Sequence, residues 1–179
     1  MEFRALKENE IECRVAQVYD GKGITLLLYK NARTDSSILD ETVGAENWQD
    51  KFYECKGNLY CSVGINTNYD KSPMNEDYCD RWIWKDDCGT ESFTEKEKGE
   101  ASDAFKRACF KWGIGKELYT APLIWIKEDS IKKWTTSGSG KKQPKDRFRV
   151  KYINTIDGKI EQLVIFNETT KEDCFKWGM

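Results

Sequence analysis

The chain has 179 residues and a net charge of −2 at neutral pH, and 39% of its residues are hydrophobic, 13% aromatic and 34% charged. That length suits one domain with at most a small appendage, and the aromatic side chains alone supply ample core. No apolar run reaches the length of a membrane span and the charged start MEFRALKENE is no signal peptide, so an intracellular, cytoplasmic protein is expected.

In chain order, residues 2–9 are expected as a short helix. Cys13 to Tyr19 and Gly23 to Tyr29 read as strands joined at Asp20-Gly21. Asn31 to Gly44 reads as a capped helix stopped by glycine. A hairpin follows, with strands near 48–56 and 58–65 around Lys56-Gly57-Asn58. Residues 66–79 are polar and read as a loop. Arg81 to Cys88 is a strand, and a long helix is placed over 94–113. Pro122 to Ile126 is a short strand and Ser130 to Trp134 one helical turn. Residues 135–146, TTSGSGKKQPKD, read as a loop by composition. Arg147 to Ile153 and Lys159 to Phe166 form a late hairpin at Asp157-Gly158, and the tail ETTKEDCFKWGM is expected frayed or docked on a partner. The order implies an α+β fold: an antiparallel β-sheet with the long helix packed across one face. Residues 1–126 would form the core. Residues 127–179 would add a basic loop and a β-hairpin packed on it or extending it.

The chemistry-bearing motifs are few. There is no histidine, which removes the commonest general base and metal ligand. No nucleophile elbow, P-loop or dinucleotide fingerprint occurs. The seven cysteines lack a CxxC pair, and free thiols are expected rather than a zinc site built from Cys55, Cys61, Cys79 and Cys88. Asp86-Asp87 is a paired carboxylate in what looks like a turn. No catalytic residue, metal or cofactor is assigned, and a non-enzyme is expected.

The most informative stretch is EKEKGEASDAFKRACFKWGIGKELY, residues 95–119. Ala101, Ala104, Phe105, Ala108, Cys109 and Trp112 recur at i, i+3, i+4, i+7, i+8 and i+11, which makes one helix stripe facing a core. Asp103, Arg107 and Lys111 fall opposite that stripe and Lys106 on its flank. This cation row suits a polyanion. Equally, acids early and cations late complement the helix dipole, and Glu100, Asp103 and Arg107 stand at the spacing of ordinary ion pairs. Phe110 among the polar positions reads as an exposed aromatic wanting a base or a neighbouring subunit. Charge distribution adds to the polyanion side. Residues 1–126 carry 17 cations and 23 anions, whereas residues 127–151 carry nine cations against three anions. Local field, not net charge, steers a polyanion.

Residues 33–126 resemble the single-strand annealing proteins of the Rad-fifty-two type, in their compact phage (Sak) form. The resemblance rests on Leu39-Asp40-Glu41-Thr42-Val43-Gly44-Ala45-Glu46-Asn47-Trp48 and on Lys51-Phe52-Tyr53-Glu54-Cys55-Lys56-Gly57. It continues through Asp87-Cys88-Gly89-Thr90-Glu91-Ser92, the run from Glu95 to Ala108, and Trp112-Gly113-Ile114-Gly115 with Leu118-Tyr119. It implies a sheet-and-helix subunit that assembles into rings or helical filaments. It also implies ATP-independent binding and annealing of single-stranded DNA in phage or prophage recombination and repair. The implied partners are single-stranded DNA, further copies of the chain, and a phage or host single-strand-binding protein or exonuclease. The implied DNA contacts are Lys106 and Arg107, with Lys111 one turn on, and Arg33, Lys51, Lys56 and Lys98 as further candidates. Lys56 is equally a turn residue, and Lys98 is equally placed to snorkel along apolar surface. Tyr53, Tyr60, Trp82 and Trp84 are expected mainly in core or subunit contacts, because annealing needs base edges left free. Lys132, Lys133, Lys141, Lys142, Lys145, Arg147 and Arg149 could gather a second strand or a duplex, or form a solvated loop.

Three other readings stand beside this one. They are a double-stranded nucleic-acid-binding module, a non-catalytic interaction protein, and a metal-dependent nuclease using Asp86 and Asp87. Preference for single strands, failure to bind DNA at low salt, and magnesium-dependent cleavage separate them.

Overall fold

The computed structural model describes residues 1–68, 81–90, 96–136, 138 and 140–179. The strands and helices are β1 (Glu12–Tyr19), β2 (Gly23–Tyr29), α1 (Ala32–Val43), β3 (Trp48–Cys55), β4 (Asn58–Asn66), β5 (Trp82–Cys88) and α2 (Lys96–Trp112). They continue with β6 (Ile124–Lys127), β7 (Trp134–Thr136), β8 (Lys142–Pro144), β9 (Phe148–Ile156), β10 (Lys159–Asn167) and β11 (Glu172–Trp177). Two compact units emerge: residues 1–4 with 31–114, and residues 5–30 with 115–179. The fold is α+β and mostly antiparallel. Among the described residues, the single expected sheet is replaced by a three-stranded sheet, a six-stranded sheet and a two-stranded ribbon.

The first unit holds both α-helices and the sheet β3-β4-β5. Asn31 caps α1 by accepting from Thr34 N at 3.1 Å, and Gly44 ends the helix with φ of 86°. Ile38, Leu39 and Val43 form its buried stripe. β3 and β4 meet at Lys56-Gly57, where φ is 53° and 75°. Two successive positive φ values make the primed turn whose twist suits a two-residue hairpin. On β4, Cys61, Val63 and Ile65 are fully buried. They share a sheet face, because alternate residues of a strand point the same way. Helix α2 contacts β4 and β5. Its Ala104, Ala108 and Cys109 are fully buried, and Trp112 Nε1 donates to Val63 O at 2.9 Å. The helix stripe read from periodicity is therefore the buried one.

The second unit holds the six-stranded sheet in the order β11-β10-β9-β1-β2-β6. Ile24, Leu26, Ile124, Ile126, Val150, Leu163 and Ile165 are buried in it. β9 and β10 turn at Asp157-Gly158, again with two positive φ values. Four local expectations are corrected here. Residues 2–9 contain only a 3-10 turn over Glu8–Glu10, and Leu6 is buried with its N–H on Glu117 Oε1 at 2.7 Å. The turn expected at 130–134 is a 3-10 turn at Glu128–Ser130, and Trp134 begins strand β7. The loop expected over 135–146 contains the β7–β8 ribbon, with Trp134 opposite Pro144 and Thr136 opposite Lys142. Lys142 secures it by ion-pairing with Glu128 and lying 4.4 Å over the Trp134 ring. The tail is strand β11, paired on β10 from Asn167↔Glu172 to Leu163↔Trp177. Asn167 Oδ1 sets the intervening turn by accepting from Thr169 N at 2.9 Å and Thr170 N at 3.3 Å.

Candidate nucleic-acid interface

The candidate cations of α2 stand at one edge of the first unit. Arg107 and Lys111 are exposed, with side-chain exposures of 46% and 48%, and Lys106 is half-buried. Their ion pairs reach across to strand β5 as well as along the helix. Arg107 Nε lies 3.4 Å from Asp87 Oδ1 and Lys111 Nζ 3.5 Å from Asp87 Oδ2. Lys111 Nζ also donates to the Asp86 carbonyl. Lys106 pairs within the helix, at 3.9 Å from Asp103 Oδ1. Glu100 is drawn away to accept from Leu59 N at 3.1 Å, and Asp103 accepts from Thr90 N and Oγ1 at 3.1 and 2.9 Å. Both acids thereby clamp strand ends onto the helix. Gly89 makes this approach possible, since a Cβ there would fall 2.1 Å from Glu100 O.

Asp86 and Asp87 are therefore not turn residues. They lie in β5, where alternation sends them to opposite faces. Asp87 pairs across the sheet with Cys61 and points toward the helix cations. Asp86 pairs with Ser62 on the other face, where it accepts from Ser62 Oγ and, at 3.3 Å, from Tyr53 OH. Sequence reasoning missed Lys85, which shares the Asp87 face. Its Nζ donates to Lys111 O at 3.0 Å and lies 4.3 Å over the Trp112 ring. The period-two pattern of β5 carried that information once its register with β4 is known.

The other candidates do not join this edge. Register places Lys51 opposite Ser62, on the Asp86 face, with its Nζ 4.0 Å over the Trp84 ring. Lys56 is exposed in the β3–β4 turn. Arg33 is exposed on α1 and lines a shallow concavity of about 260 Å³ with Trp48, Phe52, Ala101 and Phe105. Lys98 is exposed in the first turns of α2. Phe110 is half-buried, not the exposed aromatic expected. Glu91, Ser92 and Glu95 of the resemblance, and Cys79 of the cysteine set, lie outside the described residues.

Aromatic rings on the Asp86 face stack on one another. Tyr53 and Tyr60 are 5.5 Å apart at 18°, and Trp82 and Trp84 6.1 Å apart at 27°. Trp84 covers Gly64 so closely that a Cβ there would meet its ring at 2.7 Å. Tyr60, Trp82 and Trp84 are half-buried, but Tyr53 is exposed and is no core residue. Loss of hydration and the nearby Asp86 carboxylate push the Tyr53 phenol above its ordinary pKa.

A family model described as Rad52/22 family double-strand break repair protein matches residues 8–136. The chain belongs to that family. The match covers about seven-tenths of the chain and extends beyond both ends of the 33–126 segment that carried the resemblance. No curated protein and no solved structure matches the chain significantly. Membership in the Rad52/22 family places the chain in DNA repair and recombination by strand annealing. All of α2, with Lys106, Arg107 and Lys111, lies within the matched residues. Among the described residues, no helix is long and apolar enough to cross a membrane.

Proposed function

We propose that this protein binds single-stranded DNA along the Lys106–Arg107–Lys111 edge and anneals complementary strands without ATP, as a homo-oligomeric ring or filament. It would act without catalysis, in the recombination and repair of a phage or prophage of the Sak type, in the cytoplasm of a bacterial host. A phage or host exonuclease or single-strand-binding protein would supply or hand over its strands. The observation that carries this reading is the half-exposed cation row of α2 inside the family-matched segment. Such a row binds phosphates through counterion release, independently of sequence, and leaves base edges free to pair. The mutual stacking of Tyr53 with Tyr60 and of Trp82 with Trp84 agrees with a surface that does not use those rings to hide bases.

Lys106→Ala with Arg107→Ala tests this. The double variant should assemble normally while its single-strand affinity falls. Each lost phosphate contact should reduce the salt slope by roughly 0.7. Normal binding at several salt concentrations would remove the site. One observation favours a second reading, a non-catalytic interaction protein: Asp87 and Asp103 already pair with these cations. That reading expects no DNA binding at low salt. Mass measurement with and without a short oligonucleotide reads assembly and binding together.

A further inference from the structure

Most cations of the second unit that reach an acid are spent on it. Lys142 pairs with Glu128 and Asp20, Arg149 with Glu168 at 3.5 Å, and Lys151 with Asp173 at 2.7 Å. Four do otherwise. Lys132, Lys133, Lys145 and Arg147 are exposed, and none makes an ion pair among the described residues.

These four are held together by a buried clip. Asp146 is 7% exposed and accepts from Lys132 N and Lys133 N at 2.8 Å each, and from Asn167 Nδ2 at 2.7 Å. Its negative charge is turned inward onto backbone and amide donors. Lys145 N donates to Lys133 O at 2.8 Å, which continues the β7–β8 register by one step. Lys133 and Lys145 are thus cross-strand neighbours, an arrangement in which like charges oppose each other at roughly 5 Å between Cβ atoms. Burial alternates exposed, buried, exposed over Lys145, Asp146 and Arg147, so Lys145 and Arg147 both project away from the side Asp146 enters. Residues i and i+2 of an extended run stand roughly 7 Å apart. That spacing suits successive phosphates better than one small anion. Like charges set opposite each other, with the one intervening carboxylate directed away, cost stability and leave a local positive field without a use inside the subunit.

We propose that Lys133, Lys145 and Arg147, with Lys132 beside them, form a second phosphate-binding surface that grips a nucleic-acid backbone. The proposal rests on the reading that the protein binds DNA. The backbone could be that of a single strand or of a duplex, and the same chemistry recognises both.

The test uses the full chain with Lys133→Ala, Lys145→Ala and Arg147→Ala combined. Binding of a labelled oligothymidine and of a labelled blunt duplex is followed by anisotropy across salt concentrations. For the backbone this surface grips, the salt slope should fall by roughly 2 for single strands or roughly 2.7 for duplex. A slope change of about 2 makes the affinity lost between roughly 50 and 200 mM salt about 16-fold smaller. A change confined to one probe identifies the strand form held. If neither slope moves while Lys106→Ala with Arg107→Ala still lowers one, this surface is refuted and the DNA-binding reading stands. If the unaltered protein binds neither probe, both fall. Lys145→Glu gives an independent check, since it would pair with Lys133. Its Tm should hold or rise while the salt slope falls. A lowered Tm with an unchanged slope overturns the proposal.

Discussion

Asp87→Asn is the sharpest single perturbation of the α2 edge. Arg107 Nε and Lys111 Nζ stand 3.4 and 3.5 Å from its two oxygens. A phosphate held by the same cations would lie about 6 Å from that carboxylate. Two like charges at that separation repel by about 0.7 kcal/mol in bulk water and about 2.8 kcal/mol at an effective dielectric of about 20. Both cations are half-exposed, so the lower part of that range applies, near 1 kcal/mol, or about fivefold in affinity. Asparagine keeps an oxygen for Cys88 N, which now donates to Asp87 Oδ1 at 2.8 Å. Losing two exposed ion pairs costs about 0–1 kcal/mol each, so the fold should persist. Anisotropy with a labelled oligothymidine at fixed salt should therefore show about fivefold tighter binding, with Tm little changed. Equal or weaker binding by a variant of normal Tm would refute the idea that Asp87 and phosphate compete for these cations.

Three further outcomes follow from packing and burial. Gly64→Ala places a methyl 2.7 Å from the Trp84 ring and should cost about 1–3 kcal/mol, seen as a lowered Tm and an altered tryptophan emission; an unchanged Tm would mean the ring moves freely. Asn167→Ala removes the donor to Asp146 Oδ2 and to Ser130 O, and the acceptor for Thr169 and Thr170, from a fully buried position. Urea unfolding should show a loss of about 3 kcal/mol, and a loss under about 1 kcal/mol would count against the clip. Burial pushes the Cys61 thiol up to about 12, whereas Cys55 is exposed. Maleimide at pH 8, followed by peptide mass mapping, should label Cys55 in the native protein and Cys61 only after denaturation; native labelling of Cys61 would contradict its packing.

What could be read from the chain was what local chemistry decides. The Lys56-Gly57 and Asp157-Gly158 turns follow from residues that tolerate positive φ. The ends of α1 follow from Asn31 and Gly44, and the α2 core stripe from side-chain period. What escaped depends on partners distant in sequence. The tail becomes a strand only because β10 offers an edge. The β7–β8 ribbon is hidden by its glycine, serine and lysine content, and Trp134 and Lys142 supply the cross-strand contact that composition does not reveal. Asp87 was misplaced for the same reason. Helix spacing offers Arg107 acids on its own helix, but strand register brings Asp87 to it and assigns Glu100 and Asp103 elsewhere. Lys51 shows the converse: the resemblance offers it as a DNA contact beside Arg107, and strand alternation sends it to the opposite sheet face.

The carboxylates among the α2 cations also bear on how a strand would be held. A phosphate arriving at Arg107 and Lys111 meets side chains already oriented by Asp87, so less rotamer freedom is lost on binding. The same phosphate has to displace or tolerate that carboxylate, so the exchange is nearly balanced in energy. What remains favourable is counterion release, which grows with the number of phosphates neutralised rather than with any one contact. A single subunit should therefore grip weakly. Firm holding of a strand has to come from many such edges acting on one backbone, where each further contact is intramolecular. Weak individual contacts also let a segment lift away as it pairs, without freeing the rest. On the proposed reading, assembly and annealing thus have a common origin in the partial neutralisation of this edge by Asp87.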